Sequence, residues 1–232
     1  MKQIVGAVFA IVLPWLTIAA AQTPPKEGAP DRSVVPIKEG TETYDIRGEV
    51  NGRRYTNRAL GFEVTFPDEW LIPGDDFEDH MLSQGFDLAL KPPDNLGGIS
   101  KLQLERVLDR VQILLTAYRS TPGSDDNAIV RISAESLSHV PAVRDAVDYF
   151  DLMRSQFAAM KLPEDMKYSE TQAEQLGRQQ FGFLDTRSNA GNKRMYATVR
   201  KGVAVMFTIS YTKDADLATL RDVLAGGNFA LK

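Results

Sequence analysis

The chain has two imidazoles, His80 and His139, and His80 closes the run Asp75-Asp76-Phe77-Glu78-Asp79-His80. Four carboxylates and one imidazole within six residues offer oxygen and nitrogen donors to a hard or borderline divalent cation. The spacing matches neither a calcium loop nor a zinc set. On a helix, neighbours diverge by about 100° around the axis, so only Asp76 with His80, or Asp75 with Glu78, can converge. The run also reads as an acidic first helical turn, where carboxylates favour the positive end of the dipole. No residue is assigned as a metal ligand on this pattern.

His139 lies just ahead of a long amphipathic segment and reads as a capping-region or surface residue. Neither histidine falls in H-E-x-x-H, and G-x-S-x-G, G-x-x-x-x-G-K-[ST] and G-x-G-x-x-G are all absent. Gly97-Gly98 and Gly226-Gly227 read as turns. Asp125-Asp126 and Glu164-Asp165 are adjacent acids, without the spacing of a facing pair. Two basic groups, Arg53-Arg54 with Arg58 and Lys193-Arg194 with Arg200-Lys201, read as charge protecting solvated strand edges. Tyr44, Tyr55 and Tyr118 are not spaced as stacking platforms. No catalytic, cofactor-binding or metal residue is therefore expected, and the chain is expected not to be an enzyme.

Among 232 residues there is no cysteine, which excludes disulfides, thiolate metal sites and thiol nucleophiles. The net charge of −4 gives no electrostatic pull toward nucleic acid. Residues 4–21 are uncharged and mostly apolar, follow Lys2 and end on Ala19-Ala20-Ala21. That is the pattern of a secretory signal cut before Gln22. The stretch is also near the minimum for a membrane span, but Pro14 and the closing alanines favour cleavage over a retained anchor. Residues 22–42, with Pro24, Pro25, Pro30 and Pro36, read as a flexible lead-in with little to bury. Residues 43–232 are expected to form one domain.

Within that domain, Asn51-Gly52 reads as a hairpin turn between 46–50 and 53–56. Phe62-Glu63-Val64-Thr65-Phe66 alternates as a half-buried strand, followed by Trp70 as an apolar anchor. A short helix over 75–83 would place Phe77 and Met81 on one face, and Phe86 to Leu90 reads as a further strand. Ser100-Lys101-Leu102-Gln103 has the form of a capping box opening a helix. Residues 113–118 and 129–133 are strand-like. A helix is expected from Pro141 to about Met160, with Val143, Val147, Phe150, Phe157 and Met160, helped by Ala146 and Met153, on its apolar stripe. Residues 179–186 and 193–201 flank a loop at 187–192, and Lys201-Gly202 turns into a strand over 203–211. Val203, Val205, Phe207, Ile209 and Tyr211 share one face of it. A last helix spans about 214–225 with Leu217, Leu220 and Leu224 inward. Hairpins dominate over βαβ alternation, which makes the class α+β.

Tyr55-Thr56-Asn57 followed by Leu60-Gly61-Phe62-x-Val64-x-Phe66-Pro67-x-x-Trp70 resembles the opening of bacterial PsbP-like (PsbP/Mog-type) domains. The ending, from Lys201-Gly202-Val203 through Phe207, a helix at 217–224 and Phe229, is similar to that of exported members of the same superfamily, with Val203 where an aromatic is common. The resemblance covers about residues 53–232. It implies a central antiparallel sheet with helices packed on both faces, an α-β-α sandwich. Relatives of this kind, a photosystem accessory subunit and a Ran-binding import factor, bind proteins. The expected function is accordingly an exported, non-enzymatic accessory domain in the periplasm or medium. It would bind a protein partner in the cell envelope, without cofactor, nucleic acid or stable membrane anchor. The alternative is an extracytoplasmic metal- or small-ligand-binding protein using residues 75–80.

Overall fold

The structure, a computed structural model, describes residues 46–74, 81, 83, 110–120, 124, 127–160, 162–189 and 191–231. The acidic run 75–80, the 86–90 strand, the helix opening at Ser100 and the whole N-terminal signal and lead-in lie outside the described residues.

The chain begins with β1 (Glu49–Asn51), β2 (Arg54–Asn57) and β3 (Phe62–Thr65), an antiparallel three-stranded sheet in that order. Its first turn is shifted by one residue from the expected Asn51-Gly52. Asn51 pairs with Arg54, so Gly52 and Arg53 form the connection. A second antiparallel sheet contains β4 (Val111–Tyr118), β5 (Ile129–Ser136), β6 (Lys167–Tyr168), β7 (Gln172–Leu176), β8 (Gln179–Ser188), β9 (Gly191–Arg200) and β10 (Val203–Tyr211). Their order is β4-β5-β10-β9-β8-β6, with β7 also on β8. Two helices lie wholly among the described residues, α1 (Ala146–Ala159) and α2 (Asp214–Ala225), and Met81 and Ser83 are helical too. The fold is thus α+β on a central antiparallel sheet.

Strand periodicity decides which side chains enter the core. Phe207 on β10, Tyr196 on β9 and Phe181 and Phe183 on β8 are buried on one face. Trp70, Phe62, Val64 and Phe66 belong to the same cluster, as do Leu220, Val223 and Leu224 of α2. Trp70 and Phe207 therefore share a core, and Phe229 packs beside it. Phe62 and Phe229 stack at 5.9 Å; Phe207 meets both rings edge-on, and Phe181 meets Phe229 and Phe207 edge-on. On β8, Gly182 alternates with those phenylalanines, and a Cβ there would come within 2.9 Å of Ala146 in α1.

The helix expected from Pro141 starts later. Asp145 is the cap, its carboxylate accepting from the amides of Val147 and Asp148. Satisfying two orphan amides outweighs the preference of Pro141 for a first helical position, and residues 138–142 form turns instead. Ala146, Phe150, Met153 and Phe157 are buried on the stripe as expected, joined by Tyr149, whereas Val147 is exposed. The loop expected at 187–192 is shorter, because the β8–β9 ladder continues to Ser188 and Gly191. Lys201 and Gly202, both with positive φ (50° and 76°), make the two-residue β9–β10 turn, as a right-twisted hairpin favours.

Candidate functional site

Polar side chains gather at two places in the described part of the chain. The first is the passage from β5 into α1. Alternation along β5 turns Arg131, Ser133 and Glu135 to the face opposite Val130, Ile132 and Ala134, and all three are buried. Tyr149, one turn into α1, donates its hydroxyl to Glu135 Oε2 at 2.8 Å. His139 stands four residues beyond Glu135, with Nε2 4.0 Å from Oε1. Burial pushes the Glu135 carboxyl above the ordinary glutamate value, against the lowering effects of the Tyr149 hydroxyl and the Arg110 guanidinium. Burial, and then Arg110, press the His139 imidazole below its ordinary value, opposed by a backbone hydrogen bond with Ser136. Burial and the neighbouring carboxylate drive the Tyr149 phenol well above the tyrosine range.

The second place is the β7–β8–β9 end of the other face. Arg194 donates from Nε and Nη2 to the two oxygens of Asp185, at 2.6 and 2.7 Å. Its guanidinium lies 4.3 Å from the centre of the Phe183 ring. A planar, delocalised cation suits this stacked, two-pronged position, which an ammonium could not fill. Arg194 also donates to the Tyr196 hydroxyl, which in turn donates to Glu174 Oε2 at 2.7 Å. Arg221 of α2 completes the chain on Glu174 Oε1. Burial, with the Glu174 bond in support, pushes Tyr196 up to about 12. This network bolts α2 to the sheet.

Several of the basic residues read as strand-edge protection have other work. Lys193 is buried on the α1 face, where burial, and then Arg131, hold its ammonium well below the usual lysine range. Arg200 donates to the carbonyls of Leu60, Gly61 and Phe229, tying β9 to the entry of β3 and to the C-terminal segment. Arg53 does the same for Pro67 and Trp70. Lys201 alone of the second group stays exposed, in its turn. The Tyr55-Thr56-Asn57 motif is structural too: Asn57 donates to the Ile46 carbonyl and the Tyr55 hydroxyl and accepts from the Leu60 amide. Asp165 accepts from the Asn189 amide.

Of the sequence-derived candidates, the 75–80 run and Asp125-Asp126 lie outside the described residues. His139 sits beside Glu135 and Tyr149, two residues that sequence reasoning passed over. The polar residues 131, 133 and 135 at every second position of a strand were the available signal. Among the described residues, no three His, Asp or Glu side chains meet as a metal site, and no helix is long and apolar enough to cross a membrane.

No family model matches the chain, and no curated protein matches it in sequence. Among solved structures it is similar to the solution structure of cyanobacterial PsbP (CyanoP) from Synechocystis sp. PCC 6803. That match has 17% identity and a TM-score of 0.40, and covers 78% of this chain and 98% of that one. A PsbP thus stands among the structures this chain resembles, as its motifs imply. It is also similar to the crystal structure of LpqN, involved in cell envelope biogenesis of Mycobacterium tuberculosis. There the identity is 10% and the TM-score 0.36, with 72% of this chain and 82% of that one covered.

Proposed function

We propose that the chain is an exported, non-enzymatic accessory domain, periplasmic or secreted, that acts by binding a protein partner in the cell envelope. Its architecture in this reading is an α-β-α sandwich. Ala146 of α1 lies against Gly182, while Leu220, Val223 and Leu224 of α2 join the cluster on the Phe181 side. The secretory pattern at residues 4–21 supports export.

The observation that carries the binding role is a pair of exposed apolar side chains at the start of the domain. Val50 is 48% exposed and Leu71 43%, whereas Tyr55, Phe62, Phe66 and Trp70 around them are buried. Arg53, which follows the Val50 strand, donates to the carbonyl of Trp70, the neighbour of Leu71. All three residues of β1 are exposed at the end of its sheet. An end strand with an apolar side chain beside it presents unpaired backbone groups and a contact for a partner strand.

The test is purification of the tagged chain from its own host, beside the variant Val50→Asp, Leu71→Glu. A partner retained by the parent and lost by the variant, at equal stability, supports the reading. A partner held equally by both, or a chain recovered with its residues 4–21 in the cytoplasm, contradicts it.

A further inference from the structure

Asn51-Gly52 is the one Asn-Gly pair in the sequence, and it lies on the turn from β1 into β2. Asn51 closes β1 opposite Arg54, and Gly52 opens the connection with φ of 60°. Both are exposed, and a Cβ on Gly52 would meet nothing within 4 Å. Among the described residues, no hydrogen bond holds the Asn51 carboxamide or the Gly52 amide. The carboxamides of Asn57, Asn127, Asn192 and Asn228 each accept a hydrogen bond, and none of these residues precedes a glycine. We propose that Asn51 is a self-modifying site, whose side chain closes on the Gly52 nitrogen and opens to aspartate or isoaspartate, the latter freeing β1 from β2. The site stands whether or not the chain binds a partner through Val50.

The step needs only water. Glycine has no Cβ, so its nitrogen is open to approach from the side chain before it. A bond forms between Asn51 Cγ and the Gly52 nitrogen, closing a five-membered imide. The Cγ–Nδ2 bond breaks, and Nδ2 leaves as ammonia with the proton of the Gly52 amide. Water then opens the ring and returns a proton to the Gly52 nitrogen. Opening at Cγ leaves an aspartate, and opening at the main-chain carbonyl leaves an isoaspartate whose backbone runs through Cβ and Cγ. Isoaspartate lengthens the main chain by one carbon–carbon bond, about 1.5 Å. A two-residue connection sets the register of its strands and has no slack for that addition. β1 stands at the end of its sheet, held by the pairs of Glu49, Val50 and Asn51 with β2. Asn57 still grips the Ile46 carbonyl, so the release is confined to β1 itself.

The test is incubation of the purified chain at neutral and mildly alkaline pH, followed by trypsin. Cleavage after Arg47 and Arg53 isolates peptide 48–53. That peptide should gain the mass difference between water and ammonia, faster at the higher pH because base removes the Gly52 proton. An isoaspartyl methyltransferase should label it, and Asn51→Gln, whose ring would be one atom larger, should abolish the label. Peptides holding the other described asparagines should change at least an order of magnitude more slowly. Hydrogen exchange then compares the isoaspartyl form, separated by ion exchange, with Asn51→Asp, which carries the charge without the extra bond. Exchange in β1 should be about tenfold faster in the isoaspartyl form, while Asn51→Asp should match the parent. A peptide 48–53 that stays unmodified, a methyl label that survives Asn51→Gln, or an isoaspartyl form that exchanges like Asn51→Asp overturns the proposal.

Discussion

Replacing Phe207 by alanine strikes the centre of the aromatic core. The ring is 1% exposed and faces Phe62, Phe229 and Phe181 at 5.5, 6.0 and 6.1 Å. Truncation removes the transfer energy of the ring and opens a cavity, together about 3–5 kcal/mol for a buried phenylalanine. The three edge-on contacts, each worth about 0.5–1.5 kcal/mol when intact, place the cost toward the top of that range. The neighbours cannot collapse easily, since β10 is locked on one side to β5 and on the other to β9. Urea unfolding should show a midpoint lowered by the equivalent of about 4–5 kcal/mol at an unchanged m-value. Near-UV circular dichroism should weaken as the ring cluster loses its order. A midpoint displaced by less than about 1 kcal/mol would mean that Phe207 is not a core ring, and the face shared by residues 203–211 would be misassigned.

Tyr196→Phe removes the hydroxyl that links Arg194 to Glu174 and should cost about 1–2 kcal/mol by the same assay; an unchanged midpoint would show the network to be ornamental. Gly177 has φ of 57°, and a Cβ there would lie 2.2 Å from the Ala225 carbonyl at the end of α2. Gly177→Ala should therefore cost at least about 2 kcal/mol, and a neutral effect would contradict the packing of α2 on the β7–β8 turn. Calorimetry with zinc, manganese and calcium should show no micromolar binding, because a helical reading of the run lets at most two of Asp75, Asp76, Glu78, Asp79 and His80 converge. Micromolar affinity that disappears in Asp76→Ala, His80→Ala would favour the ligand-binding alternative.

Much of the fold is legible because it rests on local periodicity. The alternation of Val203 to Tyr211, the Lys201-Gly202 turn and the spacing of Leu220 and Leu224 are patterns within a few residues, and each is realised as written. Errors arise where a local signal competes with a stronger one nearby. Pro141 marks a helix start on its own, but Asp145 caps two amides and wins. Asn51-Gly52 is a good turn pair, yet pairing of Asn51 with Arg54 moves the turn one residue on. The polar clusters were not legible for a different reason. Lys193 and Arg194 are adjacent in sequence and project to opposite faces, one buried with Arg131, the other clasping Asp185. Which face a charge enters, and what it meets there, depends on strand neighbours more than fifty residues away, as with Lys193 and Arg131. His139 acquires meaning only through Tyr149, which reaches Glu135 from a different element.

The binding role is tested most directly by cross-linking in the living host. A photoreactive amino acid placed at position 50 or 71 should, on illumination, give an adduct with one and the same envelope protein. The same group at Lys213, an exposed position at the start of α2, should give none. Adducts absent from positions 50 and 71, or a shared adduct at 213 as well, would contradict an accessory domain that binds through this surface.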